Sequence, residues 1–412
     1  MKRKQHWAIL ISSEIKSRNI SDQLFKPIKP PIFSPLKDLK GVLFSNDVLA
    51  EFVDEEEKHG IFSIERKTSQ RIAQMSGGEQ KKLLFDHILK QNPGFIVLES
   101  PFDNLDIVSQ DVLKDKLVAL SKRIHIILII RREIDVLAFI TSVITYNGAI
   151  FKEVALIEKA DSDDTSFINK KVPIPLEEQH YNSTNLIEFK NVAVSYAGKS
   201  IVRNINWEIK YGDFWQLTGP NGSGKTTLLS MITGDNTKGY RQDLNIFGNK
   251  KGSGESVWDI KSKIGFFSYQ LIQQFTGRYT VAEMITGGFF DSVGLYQEPS
   301  ELQVKKSEEW LNFLGMIHLK NTNFSELPLG QKNLVMIARA MIKHPLLLIL
   351  DEPGIALDNQ STAMVVALIN KIACESKSTI VYVSHREEKG LQPDHIFQLT
   401  PGVKGSTGKI IK

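Results

Sequence analysis

Residues 215–227 read Trp-Gln-Leu-Thr-Gly-Pro-Asn-Gly-Ser-Gly-Lys-Thr-Thr, and this stretch decides the fold of the half of the chain that contains it. An apolar run, 214–218, leads into a glycine-rich turn, and the turn opens directly into a helical pattern of apolar residues from Leu228. A strand, a loop and a helix in this order are the setting of a phosphate-binding loop. The alternative, a glycine-rich turn before an ordinary helix, leaves the lysine and threonine at the required offset unexplained.

The residue types in this loop suit phosphate chemistry. Glycines let successive backbone N–H groups point at phosphate oxygens, and the following helix adds its positive end. Lys225 offers a mobile cation to the β and γ phosphates, and the Thr226 hydroxyl is placed to bind magnesium. The predicted nucleotide-binding segment is continuous: Gly219, Pro220, Asn221, Gly222, Ser223, Gly224, Lys225, Thr226 and Thr227.

Composition narrows the class of protein. A chain of 412 residues with 42% hydrophobic and 24% charged residues is typical of a globular protein of two or three domains. The net charge of +4 does not favour a nucleic-acid partner. Cys374 is the only cysteine, which excludes an intrachain disulfide, and we expect an inert, buried or half-buried thiol. No apolar run resembles a signal peptide or a membrane span, so we expect a cytoplasmic protein, peripheral at the inner face of the cell membrane through a partner.

An internal repeat organises the chain. Residues 91–106 align without a gap with residues 343–358, a shift of 252 positions. The residues around the first strand, His6–Leu10, instead resemble 214–218 at a shift of 208, so the first half is 252 − 208 = 44 residues shorter in between. Similarity over so long a spacing indicates duplicated domains.

The predicted boundaries follow from this repeat. The first domain spans 1–155, a linker spans 156–185, and the second domain spans 186–412. Residues 187–196 alternate as a strand and 204–210 form a second strand, which predicts a small antiparallel sheet before the phosphate-binding loop.

The run Leu346 to Leu350 is continuously apolar and ends in Asp351 and Glu352. Such a strand is typical of a mainly parallel sheet, and its carboxyl end lies at the edge where open α/β sheets bind ligands. Asp351 is therefore predicted to hold magnesium, directly or through water, and Glu352 to act as general base toward the attacking water. The alternative is that two acidic residues before a proline begin a surface turn.

Two further candidate phosphate-binding features lie at the ends of predicted elements, one before a helix and one after a strand. Ser76-Gly-Gly-Glu79 has the Ser-x-x-Glu pattern of a helix capping box, which alone would explain it. Consecutive glycines also expose backbone N–H groups at the positive end of a helix, where a phosphate can approach. His385 follows the apolar strand 379–383 and is either structural or a hydrogen-bond donor to a γ phosphate.

Taken together, the Gly219–Thr227 loop, 75–80, 346–352, Leu357-Asp358 and His385 resemble the ATP-binding cassette (ABC) family. Over residues 186–400 the chain is more narrowly similar to tandem cassette proteins named molybdenum (molybdate) transport ATP-binding proteins. The motifs that carry this closer likeness are Gly234-Asp235, Gly252-Ser-Gly-Glu-Ser-Val-Trp-Asp-Ile260 and Phe289-Phe-Asp-Ser-Val-Gly-Leu-Tyr296.

The resemblance implies two α/β cassettes that pair head to tail, the first truncated and degenerate. Each ATP would lie between the phosphate-binding loop of one cassette and the signature segment of the other. One composite site would join residues of both halves: Lys225, Thr226, Asp351, Glu352 and His385 with Ser76, Gly77, Gly78 and Glu79. Tyr196 would stack on adenine, unless it is a buried sheet tyrosine, and Gln270 would be a further magnesium ligand.

The resemblance also implies that the opposite site is lost. Under the 208 shift Glu14, Lys16, Ser17 and Arg18 stand where the intact loop has Gly222, Gly224, Lys225 and Thr226. Its facing signature reads Pro328-Leu-Gly-Gln331, where proline lacks an N–H group. Glu99 and Ser100 stand at the positions of Asp351 and Glu352. Because the damage falls on one site and spares the other, we expect one working site.

The expected activity is magnesium-dependent ATP hydrolysis. The resemblance implies that hydrolysis energises a membrane importer, with molybdate as the candidate cargo and separate membrane-spanning subunits as partners. Two other functions are consistent with the sequence: a soluble cassette ATPase acting on nucleic acid or ribosomes, and an ATP-gated regulatory clamp that hydrolyses poorly.

Overall fold

The computed structural model describes residues 4–60, 63–64, 70–75, 77–103, 105–154, 167, 169–179, 181–275, 277–292, 295, 297–385 and 388–412. The chain divides into two compact units. The first comprises Met1–Ser162 together with Ile355–Gln360, and the second comprises Asp163–Gly354 and Ser361–Lys412.

The first unit is an α/β domain. Its strands are β1 (His6–Leu10), β2 (Gly41–Phe44), β3 (Phe95–Glu99), β4 (His125–Ile130), β5 (Ser142–Tyr146) and β6 (Phe151–Val154). Its helices are α1 (Ser17–Phe25), α2 (Asn46–His59), α3 (Gly77–Leu89) and α4 (Ile107–Ser121). In its described part the sheet has the order β2-β3-β4-β1-β5-β6, parallel except for the antiparallel pair β5 and β6.

Alternation along the central strands explains the two layers of helices. In β3, Phe95 and Val97 join a buried cluster that includes residues of α1, whereas Ile96 and Leu98 join a cluster that includes residues of α3 and α4. Because successive side chains point to opposite faces, a continuous apolar strand must be covered on both sides.

The second unit contains the remaining elements. Its strands are β7 (Asn185–Tyr196), β8 (Lys199–Lys210), β9 (Phe214–Thr218), β10 (Asp243–Ile246), β11 (Asn249–Lys250), β12 (Ile264–Ser268), β13 (Leu347–Asp351), β14 (Thr379–Ser384), β15 (His395–Thr400) and β16 (Thr407–Ile410). Its helices are α5 (Lys225–Ile232), α6 (Val257–Ser262), α7 (Tyr269–Gln274), α8 (Val281–Thr286), α9 (Glu301–Phe313) and α10 (Leu329–Met341). The last helix, α11 (Asn359–Glu375), begins in the segment Ile355–Gln360 of the first unit and continues into the second.

The main sheet of the second unit repeats the first. Its order is β12-β13-β14-β9-β15-β16, so each strand has a counterpart at the same place in the other sheet. A separate antiparallel sheet has the order β11-β10-β7-β8. The α/β fold predicted from the sequence, a mainly parallel core with a small antiparallel sheet, is therefore confirmed.

One strand boundary differs from the expectation. β8 begins at Lys199, five residues before the predicted start at Asn204. Tyr196 pairs with Lys199 across a two-residue turn, and both turn residues, Ala197 and Gly198, have positive φ of 47° and 81°. This tight hairpin is the connection that matches strand twist, so pairing starts at once.

The difference in length between the halves falls in two intervals. Residues 11–40 separate β1 from β2, whereas 219–263 separate β9 from β12 and contain β10, β11 and α6. Residues 45–94 separate β2 from β3, whereas 269–346 separate β12 from β13 and contain α7, α8 and α9. The first half thus has counterparts of the core strands but shorter connections.

Part of the predicted linker packs onto the second unit. Phe167 is buried, with its ring 5.7 Å from that of Phe313 in α9. The Val172 N–H donates to the Glu375 carboxylate at 2.8 Å, and Lys170 donates to the Asn312 carbonyl at 2.6 Å. These contacts order the described residues of the linker beyond what its composition suggested.

Two whole-chain expectations are answered by the structure. In the parts of the chain that the structure describes, no helix has both the length and the hydropathy needed to cross a membrane. The expectation of a buried or half-buried Cys374 is wrong, because this residue is exposed near the end of α11. The sequence around Cys374 gave no sign of the helix face on which it lies.

Candidate functional site

The phosphate loop, residues 219–224, connects β9 to α5 at the carboxyl edge of the second main sheet. Gly219, Gly222 and Gly224 all have positive φ, at 148°, 74° and 98°. At Gly224 a Cβ would also lie 2.4 Å from the Val202 side chain, so glycine is required there by space as well as by conformation. Repeated positive φ turns backbone N–H groups toward one point and makes an anion-binding concavity.

Lys225 begins α5 and folds back over this loop. Its Nζ donates to the Gly219 carbonyl at 2.6 Å and to the Pro220 carbonyl at 3.2 Å, and the residue is buried. The cation is therefore held at the mouth of the loop, where phosphate oxygens would be received. Thr226, the next residue, is exposed, which leaves its hydroxyl accessible to a hydrated metal.

Strand register brings the acidic residues to the same edge. β13 pairs with β14 so that Asp351 lies beside Val383, and β14 pairs with β9 so that Ser384 lies beside Thr218. The three strand ends therefore lie side by side, directly below the phosphate loop. This is the arrangement that the apolar run ending in Asp351 predicted.

Asp351 is a perturbed carboxylate. Burial and the neighbouring Glu352 raise the pKa of Asp351 from 3.8 to about 6, and Lys225 opposes the rise. A carboxylate whose charge is disfavoured by burial is a suitable magnesium ligand, because the cation removes the cost of its negative charge. Two buried hydroxyls of the same region, Thr218 Oγ1 and Ser223 Oγ, have no hydrogen-bond partner among the described residues and could add oxygen ligands.

Glu352 and His385 contact each other. His385 Nδ1 lies 3.0 Å from Glu352 Oε1, a hydrogen bond in which the ring N–H donates to the carboxylate. Glu352 itself has φ of 54°, in the left-handed region, and its N–H donates to the Val383 carbonyl at 2.9 Å. The histidine therefore orients the predicted general base, a contact that the sequence did not indicate.

Two further predicted binding residues, Tyr196 and Gln270, are exposed. Tyr196 is 42% exposed at the end of β7, and its hydroxyl accepts from Asn236 at 2.7 Å. The alternative of a buried sheet tyrosine is therefore wrong. Gln270 is exposed in the first turn of α7, two residues beyond Ser268, which pairs with Asp351.

The signature segment begins a helix, as expected. Gly77 and Gly78 are the first residues of α3, and Glu79 follows them as an exposed residue. Ser76 lies outside the described residues, as do three residues of the stretch 289–296, so the capping box is not tested. The counterpart helix, α10, begins at Leu329 after Pro328, which makes no side-chain cap.

Sequence reasoning missed a buried link behind each signature helix. The Lys81 ammonium donates to the carbonyls of Pro101 at 3.3 Å and Asp103 at 2.5 Å, and burial lowers its pKa to about 8. Asn333, 252 positions later, donates to the Pro353 carbonyl at 2.7 Å. Each link connects a signature helix to the turn after the acidic strand. The equal spacing of residues 81 and 333 in the repeat was the available signal.

Comparison with known proteins identifies the family. The family model described as ABC transporter matches residues 202–354. The ABC transporter ATP-binding protein ModF of Escherichia coli is 34% identical over 341 residues, which is 79% of this chain and 70% of that protein. The chain belongs to the ABC family. It is a tandem-cassette member of this family of ATP-binding, ATP-hydrolysing enzymes.

One further relative and one solved structure are also similar to the chain. An uncharacterised ABC transporter ATP-binding protein of Schizosaccharomyces pombe is 26% identical over 330 residues, covering 77% of this chain and 66% of that protein. The solved structure of an RNase-L inhibitor is similar over 98% of this chain and 85% of its own, with a TM-score of 0.60 at 16% identity. This last likeness concerns the fold alone, and it extends the tandem-cassette architecture over both halves of the ABC chain.

The described part of this ABC chain contains no cluster of three or more histidine, cysteine or acidic side chains arranged to hold a metal. Magnesium in phosphate chemistry is commonly held by one or two protein oxygens together with substrate phosphates. Asp351 and Thr226 beside the phosphate loop fit that mode of binding.

Proposed function

We propose that the chain hydrolyses magnesium ATP at one composite site, which joins the phosphate loop of the second half to the signature segment of the first. In this proposal Lys225 and residues 219–227 bind the phosphates, and Thr226 and Asp351 hold magnesium, with Gln270 as a further ligand. Glu352, oriented by His385, takes the proton from the attacking water. Tyr196 stacks on adenine.

The observation that carries the proposal is the distribution of intact and altered groups. The edge with Lys225, Asp351, Glu352 and His385 retains each group that phosphoryl transfer uses. The signature that would complete this site, Ser76-Gly-Gly-Glu79, is intact, whereas the second half has Pro328-Leu-Gly-Gln331 at that position. Because the two intact parts lie in different halves, one site of the pair is expected to work.

The decisive experiment compares matched substitutions in the two signatures. Ser76→Arg places a bulky cation at the proposed phosphate approach, and it should reduce steady-state ATP hydrolysis at least about 100-fold. Pro328→Arg, at the equivalent position 252 residues later, should leave the rate within about twofold. Equal rates for Ser76→Arg and the wild type would show that the first half does not complete the site.

We propose further that hydrolysis energises a membrane importer whose membrane-spanning subunits are separate chains, with molybdate as cargo. The similarity of residues 186–400 to molybdate transport ATP-binding proteins supports this role. The interval 269–346 of the second half contains α7, α8 and α9, which supply a helical surface for a partner, whereas the shorter interval 45–94 of the first half contains α2 and α3. Docking would therefore be asymmetric.

The shorter interval 45–94 also favours a second candidate, a soluble ABC ATPase acting on nucleic acid or ribosomes. Molybdate uptake by cells that lack the chromosomal gene separates the two candidates. Complementation by the wild-type chain, and failure of Glu352→Gln to complement, is expected for an importer subunit. Unchanged uptake together with ATPase activity stimulated by purified ribosomes or RNA would favour the second candidate.

A further inference from the structure

The first unit has a loop at the place of the phosphate loop. This residual loop, residues 11–16, connects β1 to α1 and has the same six-residue length as residues 219–224. Its backbone is different, because none of its residues has a positive φ. Lys16, at the position of Gly224, has φ of −76° and ψ of 123°. The repeated positive φ that turns N–H groups toward a phosphate is therefore missing from this described loop.

Three amides of the residual loop donate hydrogen bonds within the described structure. The Ile11 N–H donates to the Ile130 carbonyl at 3.0 Å, and the Ile15 N–H donates to the Ser12 carbonyl at 3.2 Å. The Ser13 N–H donates to the carboxylate of Asp358 at 2.7 Å, within the segment 355–360 that belongs to this unit. An anion of the protein itself thus takes one donor that an intact loop offers to phosphate.

Side chains occupy the positions of the lost catalytic groups. Ser17, at the position of Lys225, donates through its hydroxyl to Glu99 Oε2 at 2.9 Å. Glu99 stands where the second unit has Asp351, so its carboxylate is held by a hydroxyl of the loop helix. This bond joins the end of β3 to the first residue of α1, at the position where a metal would be held in the second unit.

Arg131 supplies a cation from the opposite side. β1 pairs with β4 as β9 pairs with β14, which places Arg131 at the position of His385. Its guanidinium donates to the Ser100 hydroxyl at 3.1 Å and to the Ile15 carbonyl at 3.5 Å. A cation therefore contacts a loop carbonyl in both units, although Lys225 provides it in one and Arg131 in the other.

We propose that these four side chains, Ser17, Glu99, Ser100 and Arg131, form a residual-site cluster that replaces bound nucleotide, so that each chain binds one ATP. The cluster keeps the residual loop folded without a phosphate. The proposal concerns the number of nucleotides that one chain binds. It deepens the proposed function and rests on that function for its significance in catalysis.

Isothermal titration of Glu352→Gln protein with ATP and magnesium counts the sites without turnover. One ATP per chain is expected, and the count should fall to zero when Lys225→Ala is added. Two ATP per chain, or a full equivalent that remains after Lys225→Ala, would overturn the proposal. A count of one in a chain that never hydrolyses ATP would refute the proposed function and leave the inference standing, whereas an active chain with two sites would refute only the inference.

Arg131→Ala tests whether the arginine holds the loop or binds a ligand. Amide exchange of residues 11–17 should become roughly tenfold faster, since hydrogen bonds of a charged group to the loop are lost, while the ATP count stays at one. Arg18→Ala is the matched control, because Arg18 is exposed on α1 and makes a surface ion pair with Asp47 at 3.7 Å. Unchanged exchange in Arg131→Ala, or loss of an ATP equivalent, would contradict the role of the cluster.

Discussion

The carboxyl edges of the two main sheets share the turn that follows the acidic strand but differ in chemistry. Ser100 and Glu352 occupy equivalent positions, and both have positive φ, at 41° and 54°. Both N–H groups donate at 2.9 Å to the neighbouring parallel strand, to Ile129 in one unit and Val383 in the other. The strained turn therefore persists where the general base does not, so its conformation is a property of the strand connection rather than of catalysis.

The side chains at these edges show how one edge lost the groups for phosphate chemistry. In the second unit Lys225 contacts the loop and His385 contacts Glu352. In the first unit Ser17 contacts Glu99 and Arg131 contacts Ser100. The pairing of the altered edge is incomplete, because Glu99 Oε1 and Arg131 Nε are buried without a hydrogen-bond partner among the described residues, so part of the cost of burying polar groups remains.

The largest effect is expected from the general base. Glu352→Gln removes the proton acceptor while keeping shape and the contact with His385, and it should lower the ATPase rate about 10²–10⁴-fold. Ser100→Ala, at the equivalent strained position, should leave the rate within about twofold. Comparable losses in both variants would mean that the two edges are not functionally distinct.

The raised pKa of Asp351 makes the stability of the second unit depend on pH. Because its pKa is about 6 in the folded protein and 3.8 ordinarily, folding is favoured by the protonated form, and this stability is lost as pH rises from about 4 through 6. Without magnesium and nucleotide, Asp351→Asn should therefore be more stable than wild type by about 2 kcal/mol at pH 7 and equal to it near pH 4. Thermal unfolding across this range tests the expectation, and a difference that does not vary with pH would contradict it.

A smaller effect is expected from the buried hydrogen bonds that Lys81 and Asn333 make behind the two signature helices. Lys81→Met keeps length but leaves the carbonyls of Pro101 and Asp103 without their donor, and it should lower the free energy of unfolding by about 1–2 kcal/mol. Lys81→Gln carries an amide like that of Asn333 and should recover part of this loss. Urea unfolding measures the stability of both variants. Equal stabilities of Lys81→Met and Lys81→Gln would show that the hydrogen-bond donor does not matter.

Tyr196 is expected to give the smallest effect. Tyr196→Ala removes a stacking surface and should raise the KM for ATP roughly 2- to 10-fold with little change in kcat. Tyr196→Phe retains the ring but loses the hydrogen bond from Asn236, and its KM should stay within about twofold. If Tyr196→Phe and Tyr196→Ala raise the KM equally, the hydroxyl rather than the ring contributes to binding.

The motifs that consist of neighbouring residues could be predicted from the sequence alone. The phosphate loop, the acidic strand ending in Asp351 and the helix beginning at Gly77 each combine neighbouring residues whose spacing specifies the local conformation. The β8 start and the exposure of Cys374 were predicted incorrectly. Both depend on a neighbouring strand or on the helix face that the rest of the domain covers.

By itself, the sequence determined the duplication, the mainly parallel α/β fold and the half that retains a phosphate loop, because glycine positions and apolar runs act over a few residues. The tertiary structure alone decided the contacts of Glu352 with His385, Ser17 with Glu99, and Arg131 with Ser100. Their members are 33, 82 and 31 residues apart along the chain. They meet only because parallel strands end side by side in a fixed register, and no local pattern specifies that register.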